Sequence, residues 1–500
     1  MLAPISSSRW GFSAAAHLLN RAGFGGTPAE IDSLARLSAS EAVDRILTPP
    51  PKEDPDPLPP PDWARPDPDR PQKLKEFREA TPEVRRELTK ARQKLERAQI
   101  LELQSWWIRR MTQGNPAHAH REKLTLFWHG HFATSFQKVR DAYLMWRQND
   151  LFRRLGGGDW TTLLGEVTRD PAMLIWLDQA QSKPEHPNEN FARELMELFT
   201  LGEGNYSESD VLAAARALTG LTLDRLKQEP VYRARLHDNS PTTLFGDTGR
   251  HGVDDVLRLI VARPQASMFI TARLWKFFAG TEPSPELASE LAAEFERCGR
   301  AFTPFLRTLF LSEAFHAPDV VRHQIKSPVQ LLVMACRQLE RELPPAPATF
   351  TVLRMLGQEL FNPPNVKGWE GGVAWINTNT LLTRHNLALF LTTGENPLPV
   401  LARNGNAKAA AKTQPQARAA RMQRRTSTTP VNPQRLFAES EFQSADTLLN
   451  AAERRLLNSP FNPRDRAALK SHLKSDDLRD TASLLELLRL ALCTAEYQLA

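Results

Sequence analysis

The chain has 500 residues, 41% hydrophobic and 24% charged, the balance of a large globular protein of two to three units rather than a disordered or fibrous one. Its longest apolar stretches, such as "PVQLLVMAC" from Pro328, are far too short to cross a bilayer, which excludes an integral helical membrane protein. The net charge of +6 is local: eight Lys and Arg residues and no acidic one lie between Asn396 and Ala438, so the remainder stands near −2 and excludes nucleic-acid binding outside the basic segment 403–435.

The first residues, "MLAPISSSRWGFSAAAHLLNRAGFGG", lack a secretory pattern, so the chain as given reads as cytoplasmic, with export after loss of a leader as the alternative. Cys298, Cys336 and Cys493 are widely spaced in apolar helical contexts and read as buried free thiols.

Helical signals then dominate in chain order. Thr27, Pro28 and Glu30 form a capping-box arrangement. "LSASEAVDRILTPP" repeats the logic, with Ser40 as cap and a stop at Pro49-Pro50. Residues 50–72 are too proline-dense for helix or central strand and read as an extended loop. Over 73–113 a narrow stripe of Val84, Leu88, Ala91, Leu95 and Ala98 runs through many charges, which predicts a projecting helical arm. Ser207 caps a helix with Asp210 three residues on, and two helices break at Pro264. "LTGLTLDR" and "PVYRARLHD" predict one short hairpin. The fold class is mainly α, with few short strands. The expected organisation is a main helical domain over 1–400, a basic disordered linker over 401–435, and a helical segment over 436–500 packed on the main domain.

Three stretches carry candidate chemistry. In "REKLTLFWHGHFATSF", His129 and His131 could share a metal on a strand. On the helix that Leu124, Phe127, Trp128 and Phe132 favour, they point about 200° apart. Gly130 between them permits a kink or close backbone approach. In "NENFARELMELFTLGEGN", Asn190, Arg193, Glu194 and Glu197 fall within an arc of about 100°. Glu194 and Glu197, one turn apart, suit an acid/base pair or a bridged cation, and Arg193 an anion. Apolar residues over more than half of that helix predict deep burial. In "LGQELFNPPNVKGWEGGVAWINTNTLLTRHN", Trp369 and Trp375 with Asn365, Lys367, Asn377 and Asn379 either line a sugar or peptide pocket or cap the core beneath a long turn. The residues around His237, Asp238, Asp247, Arg250 and His251 read as a loop ending in a helix start. No P-loop, dinucleotide glycine pattern, nucleophile elbow or HExxH occurs.

Taken together, "AAAHLLNRAGFGG", "REKLTLFWHGHFATS", "NENFARELMELFTLGEGNYSESDVLAAARALTG", "HDNSPTTLFG", "FITARLWKFF", "KSPVQLL" and "PPNVKGWEGGVAWINTNTLLTRHNLA" resemble the bacterial domain of unknown function 1800 family in its own order. The resemblance implies a large, mostly helical domain and a frequent partnership with the domain of unknown function 1501 family, which is similar to alkaline-phosphatase and sulfatase-like proteins. It implies no established activity. The matching motif positions are His17, Asn20, Arg21, Glu122, Lys123, His129, His131, Asn190, Arg193, Glu194, Glu197, Gly202, Lys367, Gly368 and Trp369. The charged arm and basic linker depart from the pattern, and many relatives look exported, which bears on the compartment.

Two functional readings stand. One is an enzyme with a His/Glu/Arg site, metal-assisted or not. Glu194, Glu197, Arg193 and His129 are its catalytic candidates, Asn190, Lys367, Trp369 and Trp375 its substrate contacts, and His131 with Glu197 the ligands of a divalent metal. The other is a non-catalytic helical scaffold that binds a partner protein or a cell-envelope polymer, with the polar helix as a structural network and the arm as the interaction element.

Overall fold

The computed structural model describes residues 1–48, 58–395, 428–473 and 477–500. Local capping chemistry sets most helix starts. α1 (Phe12–Ala22) leads into α2 (Pro28–Ala35), where Thr27 and Glu30 close the expected capping box. In α3 (Ala39–Leu47) the cap is Ser38, not Ser40: Glu41 lies three residues after Ser38 and reaches back to its N–H, so the helix starts two residues earlier than expected.

The arm is α4 (Arg70–Glu79) and α5 (Pro82–Thr112). Only its outer part projects. Residues 81–95 are exposed, whereas Ile100, Leu103, Trp106, Trp107, Ile108 and Met111 are buried. The uniform charge of the first half masks a tryptophan-bearing core helix in the second. Of the expected proline-rich loop, residues 49–57 lie outside the described residues, as do 401–427 of the expected linker. Where the chain is described again, Val431 is already buried.

After α6 (Pro116–His131) come the short α7 (Phe136–Val139), α8 (Ala142–Leu155), α9 (Trp160–Thr168) and α10 (Pro171–Trp176). α11 (Glu189–Glu197) and α12 (Glu208–Ala217) pack together and precede the sheets. β1 (Leu221–Asp224) and β2 (Glu229–Tyr232) form the expected antiparallel hairpin, with Leu221 opposite Tyr232. A second hairpin, β3 (Thr242–Leu244) with β4 (Asp247–Gly249), forms where the sequence was read as loop. Phe245 and Gly246 both adopt positive φ, the turn geometry that suits strand twist, and only the glycine announces it.

α13 (Val253–Val261) and α14 (Pro264–Ala279) break at Pro264 as expected. α15 (Pro285–Arg297), α16 (Phe302–Leu311), α17 (Pro328–Gln338), α18 (Ala346–Met355) and α19 (Thr378–Thr393) follow. α20 (Ala445–Ala452), α21 (Pro463–His472) and α22 (Thr481–Cys493) end the chain. The fold is mainly α.

Two apolar clusters fill the interior. One gathers Phe127, Trp128, Phe132, Trp160, Phe302 and Phe310. The other gathers Trp107, Leu332, Leu387, Leu449, Leu484 and Leu488, so α20 and α22 contribute side chains to a cluster shared with α5, α17 and α19. α6 contributes Trp128 to the first and Leu126 to the second. The helix carrying both candidate histidines is thus the partition between the two clusters, which explains their burial.

Candidate functional site

Asn115 caps α6 by accepting the His118 N–H, and the helix runs unbroken through Gly130 to His131. At helical pitch the two histidines diverge, and each is tied to a different backbone. His129 Nε2 accepts the Phe361 N–H at 2.9 Å, with Trp107, Phe361 and Trp369 rings around it. His131 Nε2 donates to the Phe199 carbonyl at 3.0 Å, and its ring stacks on Phe127. Burial pushes both imidazoles down to about 3; for His131, Arg273 adds to the effect and the Phe199 carbonyl opposes it. Both are therefore neutral at physiological pH. His129 anchors the Trp369 loop to α6, and His131 anchors the end of α11.

Gly130 does not supply the close approach expected of it, because a β-carbon there would meet nothing within 4 Å. Gly368 does. It has φ +79°, and a β-carbon on it would lie 2.3 Å from the Gly130 carbonyl oxygen. The loop is thereby pressed onto the last turn of α6.

α11 is not deeply buried. Phe191, Ala192, Leu195 and Met196 cover its inner side, while Asn190 is exposed and Arg193, Glu194 and Glu197 are half-buried. An apolar half needs only one face in the core, so the polar stripe meets solvent. Arg193 makes two hydrogen bonds, 2.6 and 2.7 Å, to Glu208 at the start of α12, rather than to the carboxylates on its own helix. Glu197 accepts the Tyr206 hydroxyl at 2.6 Å, and burial together with that bond raises the phenol to about 12. Burial and then Glu197 raise the Glu194 carboxyl, against the pull of Lys367 and Arg193. Lys367 is exposed beside Trp369, so the loop and α11 share one edge.

The remaining candidates separate. Trp375 is buried, with its ring against Gly357. Asn377 accepts the Thr380 N–H as the cap of α19, and Asn379 is exposed. His237 bonds the Thr219 carbonyl, and Asp238 pairs with Arg216, so that group stitches α12 to the strands. For the metal reading, His131 and Glu197 face different partners, and among the described residues no group of three His, Cys, Asp or Glu side chains could hold an ion. Beyond Tyr206 opens a cleft of about 650 Å³, lined by Tyr206, Ser207, Asp210, Phe245, Arg263 and Gln265. It was missed because its walls come from three separate sequence stretches.

Residues 17–499 match the family described as a protein of unknown function, DUF1800. The chain belongs to the DUF1800 family. No curated protein and no solved structure matches it. Among the described residues of this DUF1800 protein, no helix is long and apolar enough to cross a membrane.

Within the DUF1800 chain, Glu122, next to the Phe24-facing Lys123, is a fully buried charge whose partners come from two other helices. Its carboxylate accepts from Arg110 at 3.0 Å, Arg153 at 2.8 and 2.9 Å, and the Trp107 indole at 2.8 Å. Burial alone would raise its pKa, but Arg153 and Arg110 overrule it and hold the carboxyl down at about 2. This hub locks α5, α6 and α8 together. Spacing could not reveal it, because its members lie 12, 15 and 31 residues from Glu122.

Proposed function

We propose that the protein binds a hydroxyl-rich polymer, a glycan of the cell envelope, along the edge shared by α11, Tyr206 and the Trp369 loop. The observation that carries this reading is Tyr206, which donates to Glu197 and also lines the 650 Å³ cleft. Planar carboxylates, an amide, a guanidinium and aromatic faces at Trp369 and Phe245 are the groups that recognise sugar hydroxyls and stack on sugar rings. The His129 and His131 anchors support a positioning role for the histidines rather than a reactive one. The exposed outer arm, with Val84, Leu88 and Leu95 at the surface, supports docking of a partner protein there, including one of the domain of unknown function 1501 family.

Co-sedimentation with insoluble peptidoglycan, chitin and β-glucan tests the reading. Wild type should pellet with at least one, and Trp369→Ala or Glu197→Gln should stay in the supernatant. Wild type that never pellets, or variants that pellet equally, would overturn it.

A catalytic reading is favoured by the raised Glu194 carboxyl beside Glu197, the pairing a general acid and its charged partner require. Release of reducing ends from a bound glycan, lost in Glu194→Gln while binding persists, would select catalysis over binding alone.

A further inference from the structure

Buried cations elsewhere in the molecule have counter-charges or carbonyls. Arg110 and Arg153 share Glu122, Arg337 pairs with Glu30, and Lys326 donates to the Tyr497 carbonyl. Arg21 is held by one carbonyl through a single nitrogen, and Lys123 lies between two aromatic faces. Arg21, in the last turn of α1, is fully buried; Nη2 donates to the Val320 carbonyl, while Nε and Nη1 have no partner among the described residues. Lys123 is 2% exposed, and its amine sits 5.1 Å from the Phe24 ring centroid and 5.4 Å from that of Phe277. Burial lowers the Arg21 guanidinium to about 9; burial and then Arg21 lower the Lys123 amine to about 7, and no carboxylate among the described residues opposes either effect.

Both cations lie against the C-terminal turn of α14. Phe277 contacts Lys123, and Gly280, three residues on, receives Arg21. Gly280 has φ +83°, and a β-carbon there would lie 2.9 Å from Arg21 Nη1. The glycine leaves room for Gln324, whose Cβ would lie nearer still at 2.6 Å, and for the guanidinium beside it. His17 and His120, one turn before each cation, are spent on the Phe315 and Ala22 carbonyls and supply no negative charge. One carbonyl bond, two aromatic faces and the partial charge of a helix end offset only part of the cost of burying two positive charges.

We propose that Arg21 and Lys123 hold a small monovalent anion between α1, α6 and the C-terminal turn of α14, chloride being the abundant candidate. Among the described residues, the donors here are the ammonium, beside two aromatic faces, and the three N–H groups of Arg21 Nε and Nη1, which suits a weakly hydrated halide better than a multiply charged oxyanion. The anion would join the two apolar clusters by neutralising a charge pair at their boundary.

The full chain is dialysed into sodium gluconate, which is then exchanged for sodium bromide at constant ionic strength while Tm is followed. The expected result is a saturable rise in Tm for wild type and an apparent affinity at least about tenfold weaker in Lys123→Met, which keeps the side-chain volume. No rise, or an equal rise in both proteins, would overturn the proposal. A second readout does not depend on the variant folding: bromide-soaked wild-type crystals should show an anomalous peak between Arg21 Nη1 and Lys123 Nζ, and its absence there counts against the site. Phosphate that raises Tm where bromide does not would overturn the monovalent assignment.

Discussion

Gly368 packs so close to the carbonyl of Gly130 that a β-carbon on Gly368 would stand 2.3 Å from that oxygen, whereas one on Gly130 would meet nothing within 4 Å. Two glycines in one contact therefore have opposite roles. Gly368→Ala should cost at least about 2 kcal/mol, from positive φ and direct overlap, and should free the Trp369 loop. Gly130→Ala should be neutral or stabilising by up to about 1 kcal/mol, since it lies inside a helix. Urea titrations of both variants check this, and equal losses would contradict it.

Removing the carboxylate of Glu122 leaves Arg110 and Arg153 buried without their counter-charge. Glu122→Gln is expected to lose about 3–5 kcal/mol, the range for breaking a buried pair by deleting one partner. Chemical denaturation gives the value, and a loss under about 1 kcal/mol would show that α5, α6 and α8 are held by apolar packing alone.

The histidine anchors set an acid sensitivity. A folded pKa near 3 against about 6.5 in the unfolded chain means that the unfolded state binds the extra proton between those values, so stability falls as pH drops from about 6.5 towards 3 and is fully present above 6.5. His129→Gln offers an amide oxygen to the Phe361 N–H and cannot titrate, so it should remove about 1.4 kcal/mol per pH unit from that slope. The difference between wild type and variant is the quantity to measure. Asp170 and Glu96, both raised by burial to about 7, act in the opposite direction over part of the same range. Glu122 adds a separate loss at lower pH, as its depressed carboxyl titrates between about 4.5 and 2. Identical slopes in wild type and His129→Gln would refute the assignment.

The arm divides sharply in its tolerance. Leu88→Lys and Leu95→Lys change exposed residues and should shift stability by less than about 0.5 kcal/mol, whereas Trp107→Ala, fully buried on the same helix, should cost about 3–5 kcal/mol. Thermal melts compare the three directly, and a large loss at Leu95 would mean that the outer arm is packed in solution. Deleting the whole of residues 50–113 would remove core side chains, so a test of partner docking on the arm should alter only its outer surface.

Periodicity and capping made the helical class legible, since a Ser or Thr with an acidic residue three positions on marks the starts at Thr27, Ser38 and Ser207. Even there Ser38, rather than Ser40, closed the box, because only its spacing to Glu41 allows the return bond. Helical pitch likewise separates His129 from His131, and the Asn190–Glu197 stripe is visible in the sequence for the same reason. Where the stripe lies was not. Local spacing cannot say which face of an amphipathic helix meets solvent or which residues approach from elsewhere, so the pairing of Arg193 with Glu208, Tyr206 with Glu197, and Gly368 with Gly130 came only from the tertiary structure. The same holds for Arg21 and Lys123. The sequence placed them only among the family's motif positions; burial at the C-terminal turn of α14, which left Arg21 Nε and Nη1 without a partner among the described residues, came from packing alone.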